Sequence, residues 1–277
     1  MAHETSTDQL IRFLLPRTHT RGAIIKATHI QAEACRIHGL PDADTGSPGQ
    51  LLGQSLIASI LLLSISKGGV RQVLQLDGET GPVSRVLAES RNGAVRGYIQ
   101  WRDETTTRSG KKSSLALLGK QIQCSTVRDP GFGQPYVSTV QAQSDYLADV
   151  LIQYLTQSVQ VRADIVLHND LGLLLEAMPG CDDARWFEAM ECLAKISDHD
   201  LEKEPADILT AFESMQPKIV EKDEYTYHCA CNPEDMAKTL AAMPAESLQG
   251  LEDETGRITL SCRYCGNTHH IKVGEGS

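Results

Sequence analysis

Two pairs of cysteines lie close to the C-terminus. Cys229 and Cys231 occur in Tyr-His-Cys-Ala-Cys-Asn-Pro-Glu, and Cys262 and Cys265 occur in Ser-Cys-Arg-Tyr-Cys-Gly-Asn. In an extended strand, residues i and i+2 point to the same side, so the first pair can face one point. A spacing of two residues followed by glycine suits a tight turn that brings the second pair of sulfur atoms together.

The segment between and around these pairs predicts a small module. Its expected elements are a helix capped by Asn232 that contains Met236 and Leu240, a short helix over Ala245–Leu251, and strands at Arg257–Leu260 and 270–273. A module of about 50 residues with so few apolar side chains usually needs a metal or disulfides to fold. Two chelating pairs of thiolates predict one tetrahedral zinc ion with Cys229, Cys231, Cys262 and Cys265 as ligands. The alternative is four unrelated cysteines.

Other potential sulfur and nitrogen ligands receive a different interpretation. His228, His269 and His270 lie near enough in sequence to replace a ligand, but ordinary surface histidines are the favoured interpretation. The remaining four of the 8 cysteines show no ligand spacing: Cys35 and Cys192 fall in helical patterns, Cys124 in a strand and Cys181 in a turn. Buried free cysteine behaves as a small hydrophobic residue, so we expect core packing for these four.

The composition favours a soluble cytoplasmic protein without a membrane partner. The chain has 277 residues, 41% of them hydrophobic, and no basic segment followed by an apolar one at its N-terminus. The longest apolar run, Leu56 to Ile65, is broken by two serines and is too short to span a bilayer. In a reducing compartment, clustered cysteines are more often metal-binding or redox-active than structural disulfides.

Residues 1–180 predict one α+β domain. Ser47 and Pro48 begin a buried helix that continues from Leu51 to Ile65. Three alternating runs separated by turn residues predict an antiparallel meander: Val70–Leu76, Val83–Ala88 and Val95–Trp101. A helix capped by Ser144 follows, and then two further strands at 161–167 and Leu173–Met178. The polar stretch 102–114 predicts a loop or a weak strand.

Residues 181–222 predict an acidic helical linker between this core and the zinc module at 223–277. In the first linker helix, Trp186, Met190, Leu193 and Ile196 share one face, and a second helix begins at Pro205 with an apolar stripe of Ile208, Leu209, Phe212 and Met215. Two short helices cannot bury these stripes alone, so they must dock on another surface. Ordinary helices of the main core are an equally good interpretation.

The charge distribution excludes some functions. The net charge is −10, and the excess lies in residues 181–220, with 4 basic and 10 acidic residues, and in residues 221–277, with 5 and 10. A zinc module this acidic is a poor nucleic-acid binder. The sequence has no P-loop, no Gly-x-Ser-x-Gly, no His-Glu-x-x-His and no Gly-x-Gly-x-x-Gly, and a thioredoxin-like enzyme would not need a second cysteine pair. We therefore predict a protein that is not an enzyme.

The cysteine pattern resembles the zinc centre of the heat-shock protein 33 family. Asp8–Phe13 and Arg21-Gly22 resemble the beginning of that family, and Leu173–Pro179 resembles the end of its core domain. The resemblance implies an ATP-independent holdase that binds unfolding client proteins, is inactive when reduced with one zinc per chain, and forms a homodimer when oxidised. It also implies redox disulfides that join Cys229 to Cys231 and Cys262 to Cys265, after which zinc leaves and the linker unfolds.

Two hypotheses remain open. In the first, the face of Trp186, Met190, Leu193 and Ile196 docks on the N-terminal domain and covers client-binding surface in the inactive state. In the second, the chain is a zinc-ribbon module that presents an acidic surface to a protein partner without redox switching.

Overall fold

The computed structural model describes residues 7–103 and 113–272. These residues form twelve β-strands and eight α-helices, which confirms the predicted α+β class. The chain divides into two compact units, Met1–Tyr227 and His228–Ser277. Most of the predicted loop at 102–114, as well as Val273 at the end of the last predicted strand, lies outside the described residues.

A ten-stranded sheet forms the frame of the first unit. Its strands are β1 Asp8–Leu15, β2 Thr20–Lys26, β3 Arg71–Gly78, β4 Val83–Arg91, β5 Ala94–Trp101, β6 Ile122–Asp129, β7 Tyr136–Ala142, β8 Ala163–His168, β9 Leu171–Ala177 and β10 Lys218–Tyr227. They are ordered β7-β6-β3-β4-β5-β10-β1-β2-β9-β8, and every neighbouring pair is antiparallel except β10 and β5. The predicted meander is confirmed as β3, β4 and β5.

One face of this sheet is covered by three helices, α1 Thr28–His38, α2 Pro48–Ile65 and α3 Leu147–Tyr154. The Ser47 hydroxyl accepts a hydrogen bond from the amide of Gln50, and Pro48 occupies the first helical position, as predicted. By length and composition α2 could cross a membrane, but 89% of it is buried inside the structure. Its all-round apolar character is that of a central core helix.

The cap predicted for α3 is wrong. The helix begins at Leu147 with Tyr146 at the N-cap position, and no side chain caps it. The Ser144 hydroxyl instead accepts a hydrogen bond from the amide of Tyr146 and contacts the carboxylate of Asp149. Ser144 therefore closes the turn before the helix, because a short polar side chain competes equally well for nearby amides outside a helix.

The other face of β1, β2 and β9 is covered by the segment predicted as the linker. It forms α4 Asp183–Leu193, α5 Asp198–Leu201, α6 Pro205–Ile208 and a 3₁₀ segment at Leu209–Met215. We call these four elements the linker helices. Phe212 is fully buried, with its ring 6.2 Å from the ring of Phe13. Gly22 lies beneath Phe13, and a Cβ there would come within 2.3 Å of that ring, so only glycine fits.

Strand β10 differs from the sequence-based division of the chain. Residues 223–227, which we predicted to begin the zinc module, complete this strand and pair with β1 and β5. Most of its side chains are exposed, and only Tyr225 and Tyr227 are buried. Without alternation of apolar and polar residues, the sequence carries no strand signal there.

Glu89 gives the first unit a defined pH dependence. Its carboxylate is 2% exposed and forms ion pairs with Arg71, Arg91 and Arg96. Burial alone would raise the pKa of Glu89, but hydrogen bonds and charge from Arg71 and Arg96 outweigh it and lower the pKa to about 2. A carboxyl group whose pKa falls on folding stabilises the protein above its unfolded pKa, and this stabilisation is lost as the pH falls towards the folded pKa.

We therefore expect Glu89→Gln to destabilise the first unit by about 3 kcal/mol at neutral pH. The difference in unfolding free energy between the two proteins should shrink by about 2 kcal/mol between pH 6 and pH 3, because the Glu89 carboxyl group binds a proton over this range in the unfolded chain but stays mostly ionised in the folded protein. Urea unfolding followed by tryptophan fluorescence measures it, since both tryptophans, Trp101 and Trp186, lie in this unit. A pH-independent difference would show that the arginines do not hold this carboxylate.

The second unit is small. It contains α7 Pro233–Ala241, α8 Ala245–Leu248 and a two-stranded sheet of β11 Arg257–Ser261 and β12 Thr268–Lys272. The Asn232 side chain accepts a hydrogen bond from the amide of Asp235, as predicted for an N-cap. Its described apolar core consists of four buried residues, Leu240, Leu248, Ile258 and Ile271. So small a core agrees with the prediction that the module needs another source of stability.

Candidate metal centre

Two loops position the cysteine pairs in the second unit. Cys229 and Cys231 lie in the irregular segment before α7, not in a strand as the spacing suggested, and Cys262 and Cys265 lie in the turn between β11 and β12. The amide of Gly266 donates to the carbonyl oxygen of Cys262, which closes this turn. Gly266 has a φ of 74°, the left-handed conformation that the sequence analysis expected of a glycine here.

The four sulfur atoms converge on one point. All lie within 4.8 Å of one another, with the Sγ atoms of Cys229 and Cys262 3.6 Å apart and those of Cys231 and Cys265 3.4 Å apart. In the described part of the chain, this is the one group of three or more potential ligands close enough to share a metal ion. We call it the four-cysteine cluster.

The spacing of these sulfur atoms fits zinc. Zn–S bonds of about 2.3 Å in a tetrahedron place the sulfur atoms about 3.8 Å apart. Burial, followed by hydrogen bonding with Cys265, raises the pKa of Cys231, and burial likewise raises the pKa of Cys265. Four thiols this close cannot all ionise without a cation between them. The donor set is therefore the one that a divalent, thiophilic metal needs.

His269 has a contact that the sequence analysis did not anticipate. Its Nε2 atom lies 3.5 Å from the Sγ atom of Cys231. His228 and His270 are exposed, as predicted, and Nδ1 of His270 lies 3.0 Å from the Thr259 hydroxyl. Strand β12 explains the difference, because successive residues of a strand point to opposite faces. The imidazole of His269 can donate a hydrogen bond to the thiolate of Cys231 and thereby orient this ligand.

The other four cysteines lie in the first unit. Cys35 and Cys124 are buried, and burial raises the pKa of Cys124 to about 12, so its thiol is unreactive. Cys181 and Cys192 are partly exposed, and Cys192 packs against the core beneath the linker helices. Within the described residues, none of these four belongs to a group of potential metal ligands.

The residues predicted to form the docking face of the linker lie against the first unit. Met190, Leu193 and Ile196 are partly buried against the cluster that contains Phe13. Trp186 is 8% exposed, and the guanidinium of Arg162 lies 5.1 Å above the centre of its ring. Trp186 thus occupies the rim of the docked face and Phe212 its centre.

Comparison with known proteins agrees with this architecture. The family model described as "Hsp33 protein" matches residues 8–272. The "33 kDa chaperonin" of Geobacter sulfurreducens is 28% identical over 97% of this chain and 93% of its own length, and that of Lactiplantibacillus plantarum is 28% identical over 97% and 95%. The crystal structure of the 33 kDa chaperonin of Thermotoga maritima, 23% identical, superposes with a TM-score of 0.77 over 95% of this chain and 94% of that one, which is a likeness in fold.

The family match covers both the ten-stranded sheet and the unit that carries the four-cysteine cluster. The fold, the cluster and the match to nearly the whole chain lead to one conclusion: the chain belongs to the Hsp33 family.

Proposed function

We propose that this protein is an ATP-independent holdase chaperone whose activity is controlled by oxidation of the four-cysteine cluster. The observation that carries the proposal is the convergence of four sulfur atoms within 4.8 Å in a unit whose described core has four buried apolar residues. A unit built in this way depends on its metal for its fold, so its fold can be switched by the chemistry of its ligands. The clients are unfolding proteins, the setting is the cytoplasm, and the protein has no enzymatic activity.

In the reduced protein the cluster would hold one zinc ion, with the four cysteines as ligands. When bound, zinc keeps all four sulfur atoms as thiolates at neutral pH and adds its binding free energy to the stability of the unit. The thiolate is also the form that peroxide attacks. The reduced state is therefore both folded and ready to react.

Oxidation removes the ligands in pairs. One thiolate attacks a peroxide oxygen and becomes a sulfenic acid, with release of hydroxide. The neighbouring thiolate displaces the sulfenic hydroxyl as a second hydroxide, so that one disulfide forms and one peroxide accepts two electrons. We propose that the pairs are Cys229 with Cys231 and Cys262 with Cys265.

This pairing opens the unit although the shortest sulfur contacts lie across the pairs, between Cys229 and Cys262 and between Cys231 and Cys265. A disulfide across the pairs would tie together residues 33 or 34 positions apart and keep the unit closed. A disulfide within each pair closes only a small ring and leaves residues 232–261 free to unfold. Peptide mapping of the oxidised protein distinguishes the two patterns.

The linker helices would respond to the loss of the second unit. They bury Phe212, Met215 and their neighbours on the sheet while keeping an acidic outer surface, and they consist of short segments. Short helices of this kind owe their stability to docking. Their release would expose apolar surface on the first unit, which binds clients, and the active form would associate as a homodimer.

The decisive experiment is light scattering of a thermally unfolding client in the presence of reduced or peroxide-treated protein, with zinc release followed in the same sample. We expect zinc to be released and aggregation to be suppressed after oxidation alone. If peroxide leaves zinc bound and aggregation unchanged, the protein is a zinc-ribbon interaction module with an acidic surface, and the switch proposed here is wrong. Sedimentation of both forms measures dimer formation.

A further inference from the structure

Strand β10 has an unusual position for a strand with so few buried side chains. It lies in the interior of the sheet, between β5 and β1, yet residues Lys218–Glu224 are exposed or half-buried. It pairs with β5 only through Thr226 and Tyr227, whereas its pairing with β1 extends from Tyr225 to Lys218. Along most of its length β10 therefore covers the hydrogen-bonding edge of β1 and little else.

Strand β1 is, by contrast, fixed in place. It pairs with β2 on its other side, and Leu10 is buried in the core formed with α1, α2 and α3, on the face away from the linker helices. Ile11, Phe13 and Leu15 are buried against the linker helices. If β10 left, β1 would remain folded and present a row of backbone donors and acceptors without partners. Such an edge is a template for an added strand.

The contacts of β10 define what this edge accepts. Arg12 of β1 forms ion pairs with Glu221 at 2.5 Å and with Asp223 at 2.9 Å. A bulge next to Arg12 leaves Val220 outside the pairing, and Ile219 is then opposite Phe13. An occupant of this edge is therefore an extended segment that places an acidic residue opposite Arg12 and an apolar residue beside Phe13.

The chain connections make β10 releasable. Two residues separate its first residue, Lys218, from Met215, where the last of the linker helices ends, and it ends at Tyr227, directly before the second unit. Both neighbours unfold in the function proposed above, on which this inference rests. Strands β7 and β8 lie at the two ends of the sheet, and no strand in residues 7–103 or 113–272 pairs with their outer edges. These edges therefore cannot explain binding that begins only on activation.

We propose that the edge of β1 at Asp8–Leu14 is the client-binding site, and that β10 occupies it in the inactive protein as a built-in stand-in for an extended client segment. Activation releases β10, and a client strand with apolar and acidic residues takes its place by backbone pairing. Binding is sequence-tolerant because backbone groups supply most of the hydrogen bonds, with Arg12 and the apolar surface around Phe13 adding preference.

Two probes test the site with the full-length oxidised protein. The first is a fluorescent peptide of residues 218–227, and its control is the same peptide with proline in place of Lys222. The control keeps Ile219 and the three acidic residues, but its backbone cannot form an unbroken ladder. The second is reduced, carboxymethylated lactalbumin, which cannot fold. We expect the peptide to bind and to be displaced by the lactalbumin, and the proline peptide to bind at least about tenfold more weakly.

Hydrogen exchange locates the binding. On oxidation, those amides of residues 9–14 that point towards β10 should lose protection and should regain it when lactalbumin is added, whereas the amides that point towards β2 should stay protected. Arg12→Glu should weaken peptide binding roughly tenfold, because two attractions become repulsions, whereas Arg36→Glu, on the exposed surface of α1, should not.

Three results would overturn the proposal. The first is that lactalbumin binds while the amides of residues 9–14 that point towards β10 stay unprotected, and the second is that the two peptides bind equally well. The third is that protection returns on oxidation alone, together with dimer formation, which would make a second copy of the chain the occupant. Light scattering on the same samples separates this site from the function. If aggregation is suppressed but residues 9–14 do not respond, the chaperone function holds and the β1 edge is not its site. If aggregation is not suppressed, the proposed function fails, and the peptide experiments still decide whether the edge binds strands.

Discussion

Replacing Cys262 by serine is expected to unfold the second unit while the sheet beneath the linker helices in the first unit stays folded. A serine hydroxyl does not ionise at neutral pH, so three thiolates remain for the metal. Structural zinc supplies on the order of 10–16 kcal/mol to modules of this kind. The unit has four buried apolar side chains in its described core, which cannot replace that contribution. We expect zinc affinity to fall by more than about a hundredfold, because loss of a ligand exceeds the effect of an outer-shell change.

Metal analysis measures the loss of zinc, and hydrogen exchange at β11 and β12 measures the unfolding of the second unit. Each of the four cysteines of the cluster should behave alike, because each contributes one sulfur atom to a single site. Cys181→Ser is the matched control, since this cysteine lies in the first unit and outside the cluster. Full zinc retention in the Cys262 variant, or a zinc-free protein whose β11 and β12 amides stay protected, would show that the cluster does not hold this unit together.

The cluster itself could be predicted from the sequence because ligand chemistry is local. A pair of cysteines one or two residues apart restricts where two sulfur atoms can lie, and an acidic module with few apolar residues leaves a metal as the main source of stability. The contact between His269 and Cys231 could not be predicted. It depends on the register of β12 with β11, which pairs His269 with Leu260 and sets which face of the strand each histidine occupies.

The sheet was predictable only where each strand carries its own pattern. Strands β3, β4 and β5 alternate apolar and polar residues and are separated by short turns, so local signals were sufficient. Strand β10 has exposed residues on both faces, and its place beside β1 depends on a partner more than 200 positions away in sequence, as the ion pair of Arg12 with Asp223 illustrates. Backbone pairing over such a separation leaves no trace in a short window of sequence.

The linker has one feature that could be predicted from local sequence and one that could not. Its apolar stripes predicted that it must dock, and Met190, Leu193 and Ile196 of the first stripe and Phe212 and Met215 of the second pack into the cluster that contains Phe13. The sequence did not show that Trp186 would lie at the rim beneath Arg162. An aspartate in place of Trp186 would lie close to that guanidinium and gain a partner, which would reduce its cost. Phe212 is therefore the sharper position for a test.

Phe212→Asp is expected to release the linker helices without disturbing the four-cysteine cluster. Phe212 is fully buried against Phe13, and an aspartate would lose this packing and place a carboxylate on an apolar surface, at a cost above about 3 kcal/mol. Undocking the short helices removes that cost, since the carboxylate then reaches water. We expect limited proteolysis to cut within residues 183–215 in the reduced, zinc-bound variant.

If docking of the linker is what keeps the protein inactive, the reduced Phe212→Asp variant should suppress client aggregation without any oxidant. Phe187→Asp is the matched control, because Phe187 lies in α4 beside Trp186 and is 64% exposed, so the same change there removes no buried contact. The control should remain resistant to protease and inactive when reduced. An open linker together with an inactive reduced variant would separate linker release from activation, and oxidation would then have to act through the second unit or through dimer formation.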